Sequence, residues 1–428
     1  MQQLTRDRAA PATPTERRRQ AFRVLMTGSS VSMLGSKLTA VAYPLLALRL
    51  TGSPFTAGWV AFAAIAPSLA VYWPAGVLVD RLDPLKTMVC GEIGRGLAIG
   101  AVAFTLLIGR IAIPVLIAIA IVEESFEVVT TLAEQRCIRA LTDPDHVRST
   151  QVSTETRTHA VSMTGRPLGG FMFGLAPILP FLFDFLSFAF SATTLVWVKS
   201  KDIVAFPQSW EPWHFGRDFN AGINWLFRDK YLRAAMILDC GTTVVSQALF
   251  IVFLAAAHSQ GLSSLKIGTV LAASGAGGVL GSLTAARFPA PTRLSLLQIQ
   301  ILVWTVALGL LTASGGRSAV LVALTITVLA YTGALGNIEF STYLMRHVPE
   351  GILARVTSTE NLISVGACAV GPALGGLLAG EFGIEHAVKW LFVGALVLAV
   401  GSMCVPLPRY RERTAAPSIP EEFIISDS

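Results

Sequence analysis

Apolar runs of membrane length, broken by short polar turns and one longer polar stretch, fill the chain from about residue 22 to about residue 407. About twenty apolar residues in a helix cross a bilayer. The pattern predicts helices over 22–50, 55–79, 86–109, 111–140, 150–175 and 177–199, and again over 231–258, 264–287, 293–313, 318–346, 355–379 and 384–407. The expected fold is an all-α polytopic membrane protein with twelve transmembrane helices in two six-helix bundles, 22–199 and 231–407. Tails lie at 1–21 and 408–428, on the same side of the membrane, and a polar central loop at 200–230 joins the bundles. In that loop Trp210, Trp213, Trp225, Phe215, Phe219 and Phe227 mingle with Arg217, Arg228 and Lys230. Residues 216–230 suit an amphipathic helix on the membrane surface, and equally a plain linker. The tightest turn is Gly76–Lys86. Residues 55–79 before it carry no charge, and 87–109 after it carry only Glu92 and Arg95. Its charges cannot lie in hydrocarbon, so helices 2 and 3 form an antiparallel pair with the turn at a membrane face.

Composition agrees with this pattern. The chain is 53% hydrophobic and 14% charged, against about 25% charged for soluble domains. That balance excludes a large soluble enzyme. The first twenty residues are polar and Arg-rich, with no apolar core of a cleaved signal. The net charge of +6 would suit nucleic acid, but its distribution does not. With the N-terminus inside, the inner segments hold 24 of the 33 Lys and Arg. The outer segments hold five (Arg49, Arg110, Lys266, Arg317, Lys389), and Lys37, Arg95, Arg157 and Arg166 lie within spans. This is the positive-inside bias. It predicts a multi-pass protein of the cell inner (plasma) membrane with both termini cytoplasmic, the lipid bilayer as a partner and no nucleic acid. Cys90, Cys137, Cys240, Cys368 and Cys404 stand apart in apolar runs, which suggests neither a disulfide framework nor a zinc site. HExxH and GxxxxGK[ST] are both absent, so no metal, no ATP and no other cofactor is expected.

The halves repeat. A shift of 205 residues puts Gly76 on Gly281, Pro144 on Pro349, Pro167 on Pro372 and Ser153-Thr154-Glu155 on Ser358-Thr359-Glu360. A six-helix unit duplicated in one orientation gives two bundles about an axis along the membrane normal, with a cavity between them near the midplane. The second half has Ala285 and Ala286 where Asp80 and Arg81 stand in the first.

Gly76-x-x-x-Asp80-Arg81 after helix 2 resembles motif A of the major facilitator superfamily. The stretches 32–35, 44–54 and 74–81, with 275–282 and 371–376 in the second half, resemble its drug-exporter branch, which includes macrolide-efflux and enterobactin-exporter-type proteins. The resemblance covers nearly all of the chain except the tails. It implies two rocking six-helix bundles, a gate built on Gly76, Asp80, Arg81 and Arg139 that latches the inner side, and a monomer. Four departures stand out. After Arg81 the motif reads Leu82-Asp83-Pro84-Leu85-Lys86. Ser36-Lys37 follow Gly35 where the branch often has an acid. Helix 4 carries Glu123, Glu124 and Glu127 in place of a central Arg. The helix 5 run Gly165-Arg166-Pro167-Leu168-Gly169-Gly170 has Arg166 where Pro is expected, whereas Gly371-Pro372-Ala373-Leu374-Gly375-Gly376 is intact.

Within the spans, polar residues mark the candidate chemistry. Glu123 and Glu127 share one face of helix 4 with Glu134, near mid-membrane. An unpaired charge there costs several kcal/mol, so these acids must pair, take up a proton or face water. A mid-membrane carboxyl that exchanges a proton is what proton antiport needs. Lys37 and Arg166 are available partners for Glu127, and a purely structural ion pair is the alternative. Asp184, Asp239 and Glu339 are weaker relay or cavity candidates. Glu155 and Glu360 start helices 5 and 11, where the helix dipole favours an acid. Glu92 and Arg95, three apart, could pair within helix 3. Gly165, Pro167, Gly169, Gly170, Gly371, Pro372, Gly375 and Gly376 would give close packing and a bend, a seal for the cavity or plain packing. The expected function is a secondary transporter that exports a small organic compound (drug, antibiotic, siderophore or related metabolite) in exchange for protons by alternating access. Uptake, lipid movement, or a non-transporting sensor or assembly role are the alternatives. No nucleophile–base spacing supports an enzyme.

Overall fold

A computed structural model describes residues 14–109, 111–142, 147–200, 223–228, 230–262, 264–285, 296–314, 319–348 and 350–404. Among them no strand occurs, and the elements are helices. The first half holds α1 (Pro14–Thr51), α2 (Pro54–Ala63), α3 (Ala66–Arg81), α4 (Pro84–Ile108), α5 (Ile113–Leu141), α6 (Val147–Leu175) and α7 (Leu179–Ser200). The second holds α8 (Lys230–Ser259), α9 (Ser264–Ala285), α10 (Leu296–Ala313), α11 (Ala319–His347), α12 (Glu350–Glu381) and α13 (Gly383–Met403). Residues 216–222 of the central loop, and the tails at 1–13 and 405–428, lie outside the described residues, as do the side chains of Asp80, Glu155 and Glu339.

The chain crosses back and forth between two ends. The near end is where α1 starts and α3 meets α4; the far end is where α1 meets α2. Eight described segments, Pro54–Tyr72 across α2 and the start of α3 among them, are long and apolar enough to cross a membrane. Helix α5 fails that standard because Glu123, Glu124 and Glu127 crowd its middle.

One expectation is corrected. The run 55–79 is not one helix but two, α2 and α3, broken at Ala64-Ile65. Pro67 has no N–H to donate to the Ala63 carbonyl, and its ring disfavours helical backbone before it. Ile65 takes φ −129°, and Ser68 Oγ donates to the Ile65 carbonyl at 2.5 Å. Other boundaries follow local chemistry. Asp83 caps α4, its carboxylate accepting from Leu85 N (2.9 Å) and Lys86 N (3.2 Å), and Pro84 occupies the first turn, where no N–H is needed. The departure from motif A after Arg81 is therefore a helix start. Gly109, at φ 72°, closes α4 in a left-handed cap.

Within the first half α1 packs on α6 and α7, and α4 on α5 and α7; in the second half α8 packs on α12, and α9 and α10 on α11. Between the halves, α2 lies along α12 and α6 along α9. The apolar core is not uniform from end to end. At the far end one continuous cluster joins residues of both halves, from Val41 and Val60 to Leu254 and Leu391. At the near end there are two separate clusters. One is drawn only from the first half (Ala21, Met88, Cys137, Leu195), the other only from the second (Leu232, Ile301, Tyr343, Ala399). The halves are thus fused at the far end and distinct at the near end.

Candidate functional site

A stripe on α1 organises the polar interior of the first half. Ser32, Ser36, Thr39 and Tyr43 recur at helical spacing on one face, and each of the first three meets a charged residue from another helix. Nearest the near end, Ser32 Oγ donates to both carboxylate oxygens of Glu92 (3.1 and 3.0 Å), and Ser191 Oγ of α7 donates to Glu92 at 2.9 Å. One turn on, Arg95 of α4 donates through Nη2 to Ser36 Oγ at 2.6 Å. The same guanidinium pairs with Glu123 (Nη2 2.9 Å, Nε 3.0 Å) and Glu127 (Nη2 3.1 Å) of α5, and lies 4.4 Å above the Phe188 ring. One turn further, Thr39 Oγ1 donates to Asp184 of α7 at 2.9 Å, and Ser187 Oγ donates to the same carboxylate at 3.2 Å. Gly35 lets α1 lie directly against Asp184, where a Cβ would collide with the carboxylate. Above these rungs, Tyr43 is buried, its ring edge-on to Phe181 at 5.5 Å, and its hydroxyl has no hydrogen-bond partner.

Two pairings differ from those the sequence suggests. Glu92 and Arg95 do not pair with each other: Glu92 takes hydroxyl donors, and Arg95 reaches across to α5. Glu127 is paired neither with Lys37 nor with Arg166, but with Arg95. The reason is geometric. Arg95 and Glu123 stand equally far along the chain from the α4–α5 turn at Gly109, so antiparallel helices bring them to one depth. That symmetry was available in the sequence and is the signal by which Arg95 could have been found. Glu123 is enclosed, with 7% of its side chain exposed, whereas Glu127 keeps 32%. Glu124 turns back toward both, the three carboxylates offering oxygens within 4.8 Å of one another. That spacing would admit a metal ion, but Arg95 already supplies a cation to two of the three.

Asp184 is fully buried between α1 and α7. Asp239 of α8 is half-buried in the second half. Lys37 and Arg166 lie on either side of the α1–α6 contact, the Gly165 backbone, one residue before Arg166, lying on the Lys37 Cβ. Arg166 is exposed at mid-helix and extends toward the other half, its guanidinium 6.0 Å from the Phe250 ring of α8.

At the near-end turn Arg136, which the sequence reading passed over, donates to the carbonyls of Val79 and, at 3.4 Å, of Leu82. It thereby satisfies acceptors left open where α3 ends. Arg81 and Arg139 are exposed, and Gly76 is half-buried. Below the ladder, Arg157 of α6 pairs with Glu134 of α5 at 2.8 Å, both nearly enclosed.

The glycine runs divide by role. A Cβ on Gly169 would lie 2.6 Å from the Leu38 carbonyl of α1, and one on Gly375 would run into the Ala248 carbonyl of α8. Gly165 meets Lys37 and Gly371 meets Gln247 in the same way. These contacts lie within each half, and they align the glycines at a shift of 206 residues, which leaves Pro167 and Pro372 one residue out of register. Gly376, in contrast, crosses between halves: its backbone lies against Gly58 and Pro54 of α2 at the far end. Gly170 is buried.

The family profile of the Major Facilitator Superfamily matches residues 25–364. An MFS-type transporter of Sinorhizobium fredii is 40% identical over 60 residues, a match that spans 14% of this chain and only 15% of that protein. Among solved structures, a bacterial homologue of the iron transporter ferroportin in its inward-facing state superposes with a TM-score of 0.69 at 17% identity, covering 90% of this chain and 98% of that one. A bacterial homologue of ferroportin in the outward-facing state gives a TM-score of 0.54 at 18% identity, with the same coverage. Two bundles fused at one end, a family profile over most of the length and transporter folds as structural neighbours lead to one conclusion: this chain belongs to the Major Facilitator Superfamily.

Proposed function

We propose that the protein exports a small organic compound in exchange for protons, working by alternating access with its near end in the cytoplasm. The Lys and Arg excess at the near-end segments supports that orientation. The split near-end core and the better likeness to an inward-facing than to an outward-facing relative support a cavity open on the cytoplasmic side. The observation that carries the coupling is the cluster on α5. Three carboxylates crowd one guanidinium at mid-membrane depth, and one of the two bound to Arg95 keeps partial exposure.

The chemistry follows from charge balance. With Glu123 and Glu127 ionised, Arg95 is held by both and ties α4 to α5. A proton arriving at Glu127, the more exposed acid, neutralises one partner and weakens that tie. The freed positive charge then alters how the first bundle packs, and the rocking equilibrium shifts. Glu124 is the surplus acid that would hand the proton on. The turn at Gly76–Arg81, held by Arg136, is the element that opens and closes the near end, with Asp80 as its latch.

The test is proton flux in proteoliposomes. The double variant Glu123→Gln/Glu127→Gln should lose substrate-driven proton movement, and Glu127→Gln alone should lose most of it. Undiminished flux in the double variant would sink the coupling role.

A further inference from the structure

The same crossing is built twice in this chain, and only one copy is charged. In the first half Gly165 rests on Lys37 and Gly169 on Leu38; in the second, Gly371 rests on Gln247 and Gly375 on Ala248. In this register Lys37 corresponds to Gln247, and Arg166 to Pro372. The neutral copy forms the same contact, so packing does not require the two cations. Among the described residues neither makes a hydrogen bond or an ion pair. Lys37 feels Glu123, Glu124 and Glu127 at a distance; Glu123 and Glu127 are bound to Arg95, and none of the three forms an ion pair with Lys37. Around Arg166 the structure places the Phe250 ring of α8 and the Cys368 thiol of α12, and among the described residues no carboxylate acts on it. Cys368 is also within reach of Lys37 and of Asp239. A guanidinium exposed at mid-membrane depth, between two halves and without a counter-charge among the described residues, is an expensive arrangement unless a ligand supplies the charge.

We infer that Arg166 and Lys37 form the anion-recognition element of the transport cavity, and that the substrate is an organic anion, carboxylate-, sulfonate- or phosphate-bearing, with an apolar or aromatic body. Arg166 offers a planar fork suited to such an oxyanion, Lys37 adds a point charge beside it, and the face of Phe250 receives the apolar part. This rests on the proposed transport cavity and names what it takes; it does not depend on proton coupling.

The test uses Cys368 as an internal probe, in the full chain with Cys90, Cys137, Cys240 and Cys404 changed to Ser. Its reaction rates with an anionic methanethiosulfonate (the ethylsulfonate) and a cationic one (the ethyltrimethylammonium) are compared with those of a free small thiol. The anionic reagent should be favoured by about tenfold or more over the free-thiol ratio, as expected for two nearby unpaired cations. Arg166→Gln should remove most of that preference and Lys37→Gln part of it, while Arg166→Lys should retain it. In a second arm, 1-naphthoate should slow maleimide labelling of Cys368 at least about threefold, where 1-naphthylmethylamine does not, and Arg166→Gln should abolish the protection. A free-thiol ratio, no labelling by either reagent, an unchanged ratio in Arg166→Gln, or equal protection by the amine would each overturn the inference. Lost proton flux with labelling preference intact would instead fault the coupling scheme alone.

Discussion

The two halves of this protein solve the same packing problem with different interiors. The first is wired with charge: Glu92, Arg95 and Asp184 meet a hydroxyl-bearing face of α1, and Glu123 and Glu127 meet Arg95. Among the described residues, the second holds its helices together with neutral bonds. Trp304 Nε1 donates to Thr332 Oγ1 at 2.9 Å, Gln298 Nε2 to the Ser402 carbonyl at 2.7 Å, and Thr305 Oγ1 to the Ala395 carbonyl at 3.1 Å. At the 205-residue shift that puts Gly76 on Gly281, Arg95 falls on Gln300 and Glu127 on Thr332. A duplicated fold that is stable with glutamine and threonine at these places does not need an arginine and a glutamate. On the proposed function, the charges of the first half mark where its work is done, with the second half as the frame against which it moves.

The comparison is broken most sharply at Arg95. Replacing it by Gln leaves Glu123 and Glu127 buried without their cation, and removing one partner of a buried pair costs about 3–5 kcal/mol. Thermal unfolding in detergent should show a large loss, with partial recovery in the triple variant Arg95→Gln/Glu123→Gln/Glu127→Gln. Gln300→Leu, at the corresponding place in the second half, should cost much less. It removes an amide whose Oε1 is already without a partner. Equal losses at Arg95 and Gln300 would mean that the two interiors are equivalent after all.

The glycine crossings test the opposite side of the comparison, the part both halves share. Gly169→Val and Gly375→Val each push a side chain into a facing backbone. Overpacking costs about 1–3 kcal/mol, and here the obstacle is main chain that cannot rotate away, so the upper end applies. Both should fall by similar amounts in the same unfolding measurement. Gly401→Ala, with nothing near its added carbon, should be neutral. A clear difference between Gly169 and Gly375 would deny the common crossing.

The fold was legible because each span announces itself by hydropathy and each turn by charge, down to Asp83-Pro84 starting α4. The break at Ala64-Ile65 was not, because a lone Pro67 is tolerated inside many membrane helices and only its neighbours decide whether the chain bends or parts. Of the site, the acids of α5 stood out in an apolar run. Their cation did not: Arg95 has Glu92 three residues away, and a reading confined to one helix pairs them. Partners across helices depend on depth and facing, which follow from chain direction through the turn. Arg136 was missed for a related reason. Its work is to satisfy backbone carbonyls, and no side-chain pattern advertises it. Arg166 was visible as an irregularity in a glycine motif and as a possible partner for Glu127; the proposed role came from comparing it with the uncharged copy.

The smallest expected effect is at the top of the ladder. Tyr43 carries a buried hydroxyl with no partner, one polar atom beyond what the α1 stripe satisfies. An unsatisfied buried donor costs about 1–3 kcal/mol relative to a paired one, so Tyr43→Phe should leave thermal stability unchanged or raise it slightly. The charged groups around that hydroxyl are Glu123, Asp184, Arg95 and Glu124. If protons stop only at α5, flux in Tyr43→Phe proteoliposomes should equal that of the parent. A fall in flux with stability intact would instead make the hydroxyl a further station, extending the working part of the first half from Glu127 toward Asp184 and deepening its contrast with the second.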